Sequence, residues 1–270
     1  MTKLRTERIL AKPAIAVDHA GEGELLVLMH GIGGNRTNWT EQVEAFSKHF
    51  HTVSWDARGY GDSDDYEGPL DFADFARDLA GVLDHFGAEK AHLCGLSMGG
   101  RIAQDFYRQF PERVKTLTLV ATFAGFRNFS SEERQRFINL RKKPLVEEGK
   151  EPKDIAPVVA KTLIGPSASE DKFRRLVRSM ERLHKESYVK TIEASTLYDK
   201  ALELETVTVP TCLVFGEHDS LTTPETGKAM ADRIAGSEFH VVPRSGHLIN
   251  IEEPEIFNRI VMDFLLSNRG

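Results

Sequence analysis

Short apolar runs alternate with longer amphipathic segments along most of this chain. The runs at 24–30, 51–59, 90–97, 114–122, 209–219 and 237–247 are aliphatic, bounded by turn residues and too short for core helices, which predicts buried strands. Segments 39–50, 70–87, 99–111 and 256–267 read as helices. In 70–87, Phe72, Phe75, Leu79, Val82 and Phe86 recur every three or four residues and share one helical face, and Gly87 supplies a C-cap. Alternating strands and helices predict an α/β fold: a mostly parallel, doubly wound sheet covered on both faces. Ligands of such sheets bind at the carboxyl ends of the strands. His30, Asp56, Ser97, Asp219 and His247 all fall at or just beyond those ends.

The alternation breaks between residues 123 and 202. That stretch is charged and lacks a strand pattern. Ser130-Ser131-Glu132-Glu133 and Ser167-Ala168-Ser169-Glu170 read as helix-starting capping boxes, and Pro144, Pro152, Pro157 and Pro166 punctuate the segment. The expected organisation is a core of residues 1–122 and 203–270, with residues 123–202 forming a helical cap over the site.

The chemistry centres on Gly95-Leu96-Ser97-Met98-Gly99-Gly100. Gly-x-Ser-x-Gly is a weak signal alone, but here it follows an apolar strand and opens a helix. A sharp strand-to-helix turn leaves no room for side chains two residues before and two after the serine, and Gly95 and Gly99 meet that demand. Serine is a poor nucleophile until a base removes its proton, and the base must be held by a carboxylate. His247 follows the last expected strand and Asp219 the strand before it, so Ser97, Asp219 and His247 read as nucleophile, acid and base. Glu217 is the runner-up acid. The oxyanion of acyl transfer needs preorganised N–H donors. The backbone N–H groups of Met98 and Ile32 are the expected pair, with Gly33 as the alternative to Ile32 and His30 as a structural residue.

Composition narrows the rest. The 270 residues are 40% hydrophobic and 28% charged with a net charge of −6, an ordinary globular balance without the basic excess of nucleic-acid binders. No run reaches the ~18 apolar residues of a membrane helix, and the start has no apolar leader. A cytoplasmic enzyme is the expectation, with no nucleic-acid or membrane partner. Cys94 and Cys212 sit in apolar runs and read as buried core residues rather than a disulfide or metal pair. No metal or organic cofactor is expected. Asp56 to Ser63 lacks a phosphate-loop ending and reads as a shaping loop.

With these residues in place the chain resembles the α/β-hydrolase superfamily over nearly its whole length. The matching pieces are His30-Gly31, Asp56 to Ser63, Gly95 to Gly100, Asp219, Gly246-His247 and Glu253-Pro254. A serine at 97 separates it from dehalogenases and epoxide hydrolases, which use aspartate. Trp55-Asp56-Ala57-Arg58-Gly59, Gly95 to Gly100 and Ser245-Gly246-His247 are similar to 3-oxoadipate enol-lactonases and small esterases. The Ser-Met-Gly-Gly run is also shared with cofactor-free perhydrolases. Leu96 and Leu248 depart from meta-cleavage product hydrolases, which usually carry Asn and Trp there.

The expected activity is hydrolysis of a small carboxylic ester or lactone through an acyl-enzyme. The alternatives are a carbon–carbon bond hydrolase with the same three residues, and a ligand-binding signalling protein with little turnover. Phe123, Phe126 and Leu248 are the expected substrate contacts, within a compact aromatic cap that also holds Phe129 and Phe137. Of Arg141, Arg174, Arg175, Arg178 and Arg182, most are expected on a solvated face. Arg174, Arg178 and Arg182 share a helical side, so one of them is a candidate to turn inward toward a substrate carboxylate.

Overall fold

The computed structural model describes residues 3–9, 11–166 and 168–269. Its eight strands are β1 (Arg5–Ile9), β2 (Ile15–Ala20), β3 (Leu25–Met29), β4 (His51–Trp55), β5 (Ala91–Leu96), β6 (Val114–Val120), β7 (Thr211–Gly216) and β8 (Glu238–Val242). They form one sheet in the order β1-β2-β4-β3-β5-β6-β7-β8. From β4 through β8 every pairing is parallel, whereas β2 runs antiparallel to β4 and β1 antiparallel to β2. Every residue of β3, β5 and β7 is buried. Successive side chains of a strand point to opposite faces, so such burial requires cover on both sides of the sheet.

That cover comes from α1 (Thr40–Phe46), α2 (Ala73–His85), α3 (Met98–Gln109), α8 (Pro224–Ala231), α9 (Ile249–Glu252) and α10 (Pro254–Ser267). In α2 the buried set Phe75, Ala76, Leu79, Val82 and Leu83 is the face that the spacing predicts, and Gly87 takes the left-handed φ of 65° beyond its end.

Between β6 and β7 the described residues contain four α-helices and no strand: α4 (Ser131–Val146), α5 (Pro152–Leu163), α6 (Glu170–Glu181) and α7 (Lys185–Leu197). Ser130 and Glu133 form the expected capping box of α4. The second expected box starts at Ser167, which lies outside the described residues; Ser169 caps α6 by accepting Lys172 N–H. Of the prolines, Pro152 opens α5, whereas Pro144 and Pro157 lie inside α4 and α5 rather than between helices.

Two strands, β1 and β2, and two core helices, α8 and α9, were not in the sequence pattern. β1 is an exposed edge whose composition is mostly charged. β2 is mostly buried, but Asp18 and His19 interrupt its apolar run because they pair with Arg36 and His51. No described helix is long and apolar enough to cross a membrane. Cys94 and Cys212 are free and buried, and burial raises both thiols well above the usual range.

Candidate active site

β5 ends at Leu96, and Ser97 turns the chain into α3 with φ 55° and ψ −112°. A non-glycine residue there costs ~1–3 kcal/mol and persists only where its surroundings hold it. Ser97 N–H donates to Val120 O at 2.8 Å, while Ser97 O accepts from Thr122 Oγ1 at 2.7 Å and from Arg101 N–H at 3.2 Å. The turn is as tight as the motif requires. A Cβ on Gly95 would lie 2.2 Å from Gly99 O, and one on Gly99 would lie 2.2 Å from Met29 O.

Asp219 and His247 meet beyond the ends of β7 and β8, both almost fully buried. Asp219 Oδ2 lies 2.8 Å from His247 Nδ1. An ionised carboxylate only accepts, so Nδ1 carries the proton and Nε2 is left as a base. Burial works against the Asp219 charge. It is outweighed by hydrogen bonds from His247 and Thr222, which hold the carboxyl below its ordinary range. Leu221 N–H and Thr222 N–H donate to Oδ1 at 2.8 and 3.0 Å, and Thr222 Oγ1 donates to Oδ2 at 2.7 Å. Glu217 takes no part. It is half exposed and accepts Arg244 N–H at 2.9 Å.

Ser97 and His247 line one cavity of about 490 Å³, mouth included. Its walls also include Ile32, Leu163, Leu176 and Leu248, so helices α5 and α6 close part of it. Gly34 N–H bonds back to Gly31 O at 2.9 Å and closes a turn on the cavity wall. Among the described residues, the backbone N–H groups of Ile32, Gly33 and Met98 have no hydrogen-bond partner. His30 also lines the cavity; its ring accepts Ala57 N–H at 3.1 Å and reaches Gly31 O at 2.8 Å, and burial lowers its pKa.

Leu248 lines the cavity, but Phe123 and Phe126 do not. Both rings instead pack on the guanidinium of Arg101, 5.3 Å from each centroid, with Phe72 at 4.8 Å. Phe126 also meets Phe129 and Phe137. Arg101 is buried and donates to Ser195 O at 2.6 Å, tying α3 to α7, and burial lowers its pKa to about 10. None of the five candidate arginines is in the cavity wall. Arg174 and Arg178 are exposed, Arg175 pairs with Glu41 and Arg182 with Asp62, while Arg141 lies 3.4 Å over the Phe137 ring. The Asp56 to Ser63 loop shapes its neighbourhood, with Asp56 accepting from Arg36 and from Asp62 N–H and Ser63 bonding back to Asp56 O.

Glu252 is a positioning residue that the sequence pattern did not single out. Its buried carboxylate accepts Gly165 N–H at 2.7 Å, Gly246 N–H at 3.0 Å and Leu248 N–H at 3.0 Å. His247 N–H in turn donates to Leu163 O at 2.8 Å. Burial raises the Glu252 pKa despite those bonds. The loop carrying His247 is therefore pinned on both sides and across to α5.

The family model of the α/β hydrolase fold matches residues 24–254. The chain belongs to the α/β-hydrolase fold family. This α/β-hydrolase is 28% identical to 3-oxoadipate enol-lactonase 2 of Acinetobacter baylyi over 92% of each chain. It is 31% identical to a 2-hydroxy-6-oxononadienedioate/2-hydroxy-6-oxononatrienedioate hydrolase of Paraburkholderia phymatum, over 90% of this chain and 87% of that one. Among solved structures it resembles a thermophilic esterase from Thermogutta terrifontis, with a TM-score of 0.88 and 27% identity over 98% of this chain and 100% of the other. Its relatives thus include an enol-lactonase, a dienedioate/trienedioate hydrolase and an esterase.

Proposed function

We propose that this chain is a serine hydrolase of small carboxylic esters or lactones, acting through an acyl-enzyme on Ser97. The observation that carries the reading is the buried Asp219–His247 pair opening onto the cavity that the strained Ser97 turn also lines. Ser97 Oγ attacks the carbonyl carbon while His247 Nε2 takes its proton. Asp219 holds the imidazole in the required tautomer and stabilises the cation. The N–H groups of Met98 and Ile32 receive the oxyanion. Collapse expels the alcohol, which takes the proton from His247. His247 then draws a proton from water, whose oxygen attacks the acyl carbon and releases the acid and Ser97. Residues 123–202 serve as the cap and residues 1–122 and 203–270 as the core. Leu163 and Leu176 in the cavity wall support that division.

A second reading, carbon–carbon bond hydrolysis, is favoured by the relationship to the dioate hydrolase. It fits the cavity less well. A dioate carries two carboxylates, and among the described residues no lysine or arginine lines the wall. Turnover of p-nitrophenyl acetate to octanoate, an enol-lactone and a yellow ring-fission dienol, each beside Ser97→Ala, orders the readings. Ester or lactone turnover lost in the variant supports the first. Bleaching of the dienol alone supports the second, and a single product equivalent per chain supports a binding protein.

A further inference from the structure

The turn from Gly31 to Gly34 lines the cavity and stands beside the nucleophile: a Cβ on Gly31 would lie 3.3 Å from Ser97 Cβ. Three of its four residues are glycines, which give the backbone little stiffness of its own. The turn is set from its far end. Asn35 follows it and caps the single helical turn Arg36–Trp39, and Asn35 N–H donates to Asn38 Oδ1 at 2.9 Å. A Cβ on Gly34 would fall 2.5 Å from that same oxygen, so the Asn38 amide packs directly on the turn.

Both amides are held by one hydroxyl of the inserted helices. Ser179 Oγ, on α6, donates to Asn38 Oδ1 at 3.0 Å and accepts from Asn35 Nδ2 at 2.9 Å. Its single proton and a lone pair are both in use, which fixes the orientation of each amide. All three side chains are more than nine-tenths buried. The next residue, Met180, covers the turn: a Cβ on Gly33 would meet Met180 Cε at 3.3 Å. Leu176, three residues before Ser179 and so on the same side of α6, is in the cavity wall. The helix that walls the cavity also props the turn.

We propose that Ser179 is a positioning residue for the oxyanion donors: through Asn35 and Asn38 it holds the 31–34 turn, and with it Ile32 N–H, where negative charge develops. The proposal rests on the ester-hydrolase reading above and adds a residue of the inserted helices to its machinery. A displaced donor weakens the tetrahedral state but leaves the ground-state contacts with Leu163, Leu176 and Leu248 in place, so the loss falls on kcat rather than KM.

Ser179→Ala removes the bridge from the α6 side. Asn35→Asp removes it from the core side, keeping the acceptor for Thr37 N–H while setting a second oxygen against Ser179. Ser187→Ala is the control, since that buried hydroxyl of α7 also ties the inserted helices to the core, but at Asp65 and outside the cavity wall. Each is measured for kcat and KM on p-nitrophenyl butanoate and for inhibition by 1-butaneboronic acid, with circular dichroism to check the fold. The boron accepts a lone pair of Ser97 Oγ, whose proton passes to His247, and the tetrahedral boronate sets an oxygen where the oxyanion would stand. Losing an oxyanion donor outright costs ~10²–10³ in rate, so displacing one is expected to lower kcat ~10–100-fold with KM within about threefold. The boronate inhibition constant should rise by a similar factor in both variants, and Ser187→Ala should leave all three quantities near wild type. A folded Ser179→Ala protein with wild-type kcat overturns the proposal and leaves the ester-hydrolase reading standing. So does an equal loss in Ser187→Ala, or a lower kcat with unchanged boronate affinity. Unfolding of both bridge variants overturns it as well, since the hydroxyl would then hold the fold rather than the turn. No ester turnover by the wild type removes both readings.

Discussion

Asp219→Asn isolates what the buried carboxylate does for His247. The backbone N–H groups of Leu221 and Thr222 both bond Oδ1, and an asparagine must keep its oxygen there to satisfy them. Its NH2 group then occupies the place of Oδ2, 2.8 Å from His247 Nδ1. A donor facing a donor drives the imidazole to the opposite tautomer. Nε2 then carries the proton and no longer accepts one from Ser97. Loss of the correct tautomer in such a triad costs ~10⁴ in kcat. The fold loses less. Two of the four bonds to the carboxylate survive, Thr222 Oγ1 can rotate to accept, and a neutral amide is cheaper to bury than a charge. The expected cost is ~1–2 kcal/mol, or a Tm lower by ~2–8 °C in a chain of this size. Steady-state hydrolysis of p-nitrophenyl butanoate and a melting curve on the same samples measure both. Glu217→Gln, on a half-exposed side chain outside the cavity wall, is the control and should keep full activity. A folded Asp219→Asn protein with kcat within tenfold of wild type would refute the reasoning.

Glu252→Gln leaves one of three backbone N–H groups facing an amide NH2, so a loss of ~1–3 kcal/mol is expected by chemical denaturation, together with a lower kcat from the loosened His247 loop. Asp219 has a depressed native pKa, so its stabilising contribution is full above an unfolded value of about 4 and vanishes as pH falls through the lower native value. The stability gap between wild type and Asp219→Asn should therefore shrink in melts taken below about pH 4. Gly99→Ala places a methyl 2.2 Å from Met29 O, a backbone atom that has little room to yield, and should cost ~1–3 kcal/mol or more and distort the Ser97 turn. Retention of wild-type Tm and kcat would contradict that.

The six strands β3 to β8 were legible because each carries apolar or β-branched residues between turn signals, even though Lys115 interrupts β6 and Glu238 and His240 lie in β8, where only Val242 is buried. The juxtaposition of Asp219 and His247 was legible because strand ends converge in such a sheet, and the two side chains lie 2.8 Å apart. β1 and β2 were not, since polar residues serving side-chain partners break their alternation. Glu252 was hidden among Glu252-Glu253 and Glu255, where only burial separates the residue that pins the loop from its neighbours. Phe123 and Phe126 looked like pocket residues because aromatics follow the end of β6. Sequence offered no sign that Arg101, four residues beyond Ser97, would draw those rings to itself. The cap arginines were mostly expected on a solvated face, as Arg174 and Arg178 are, but helical spacing groups side chains on a face without telling whether that face meets the cavity, Glu41, Asp62 or solvent.

The central claim is that Ser97 is the nucleophile, activated through His247. The direct measurement is labelling with a fluorophosphonate followed by intact mass and peptide mapping. One adduct per chain is expected, on the peptide containing Ser97, absent in Ser97→Ala and strongly slowed in Asp219→Asn. No adduct on a folded protein, or an adduct on another residue, would contradict the account.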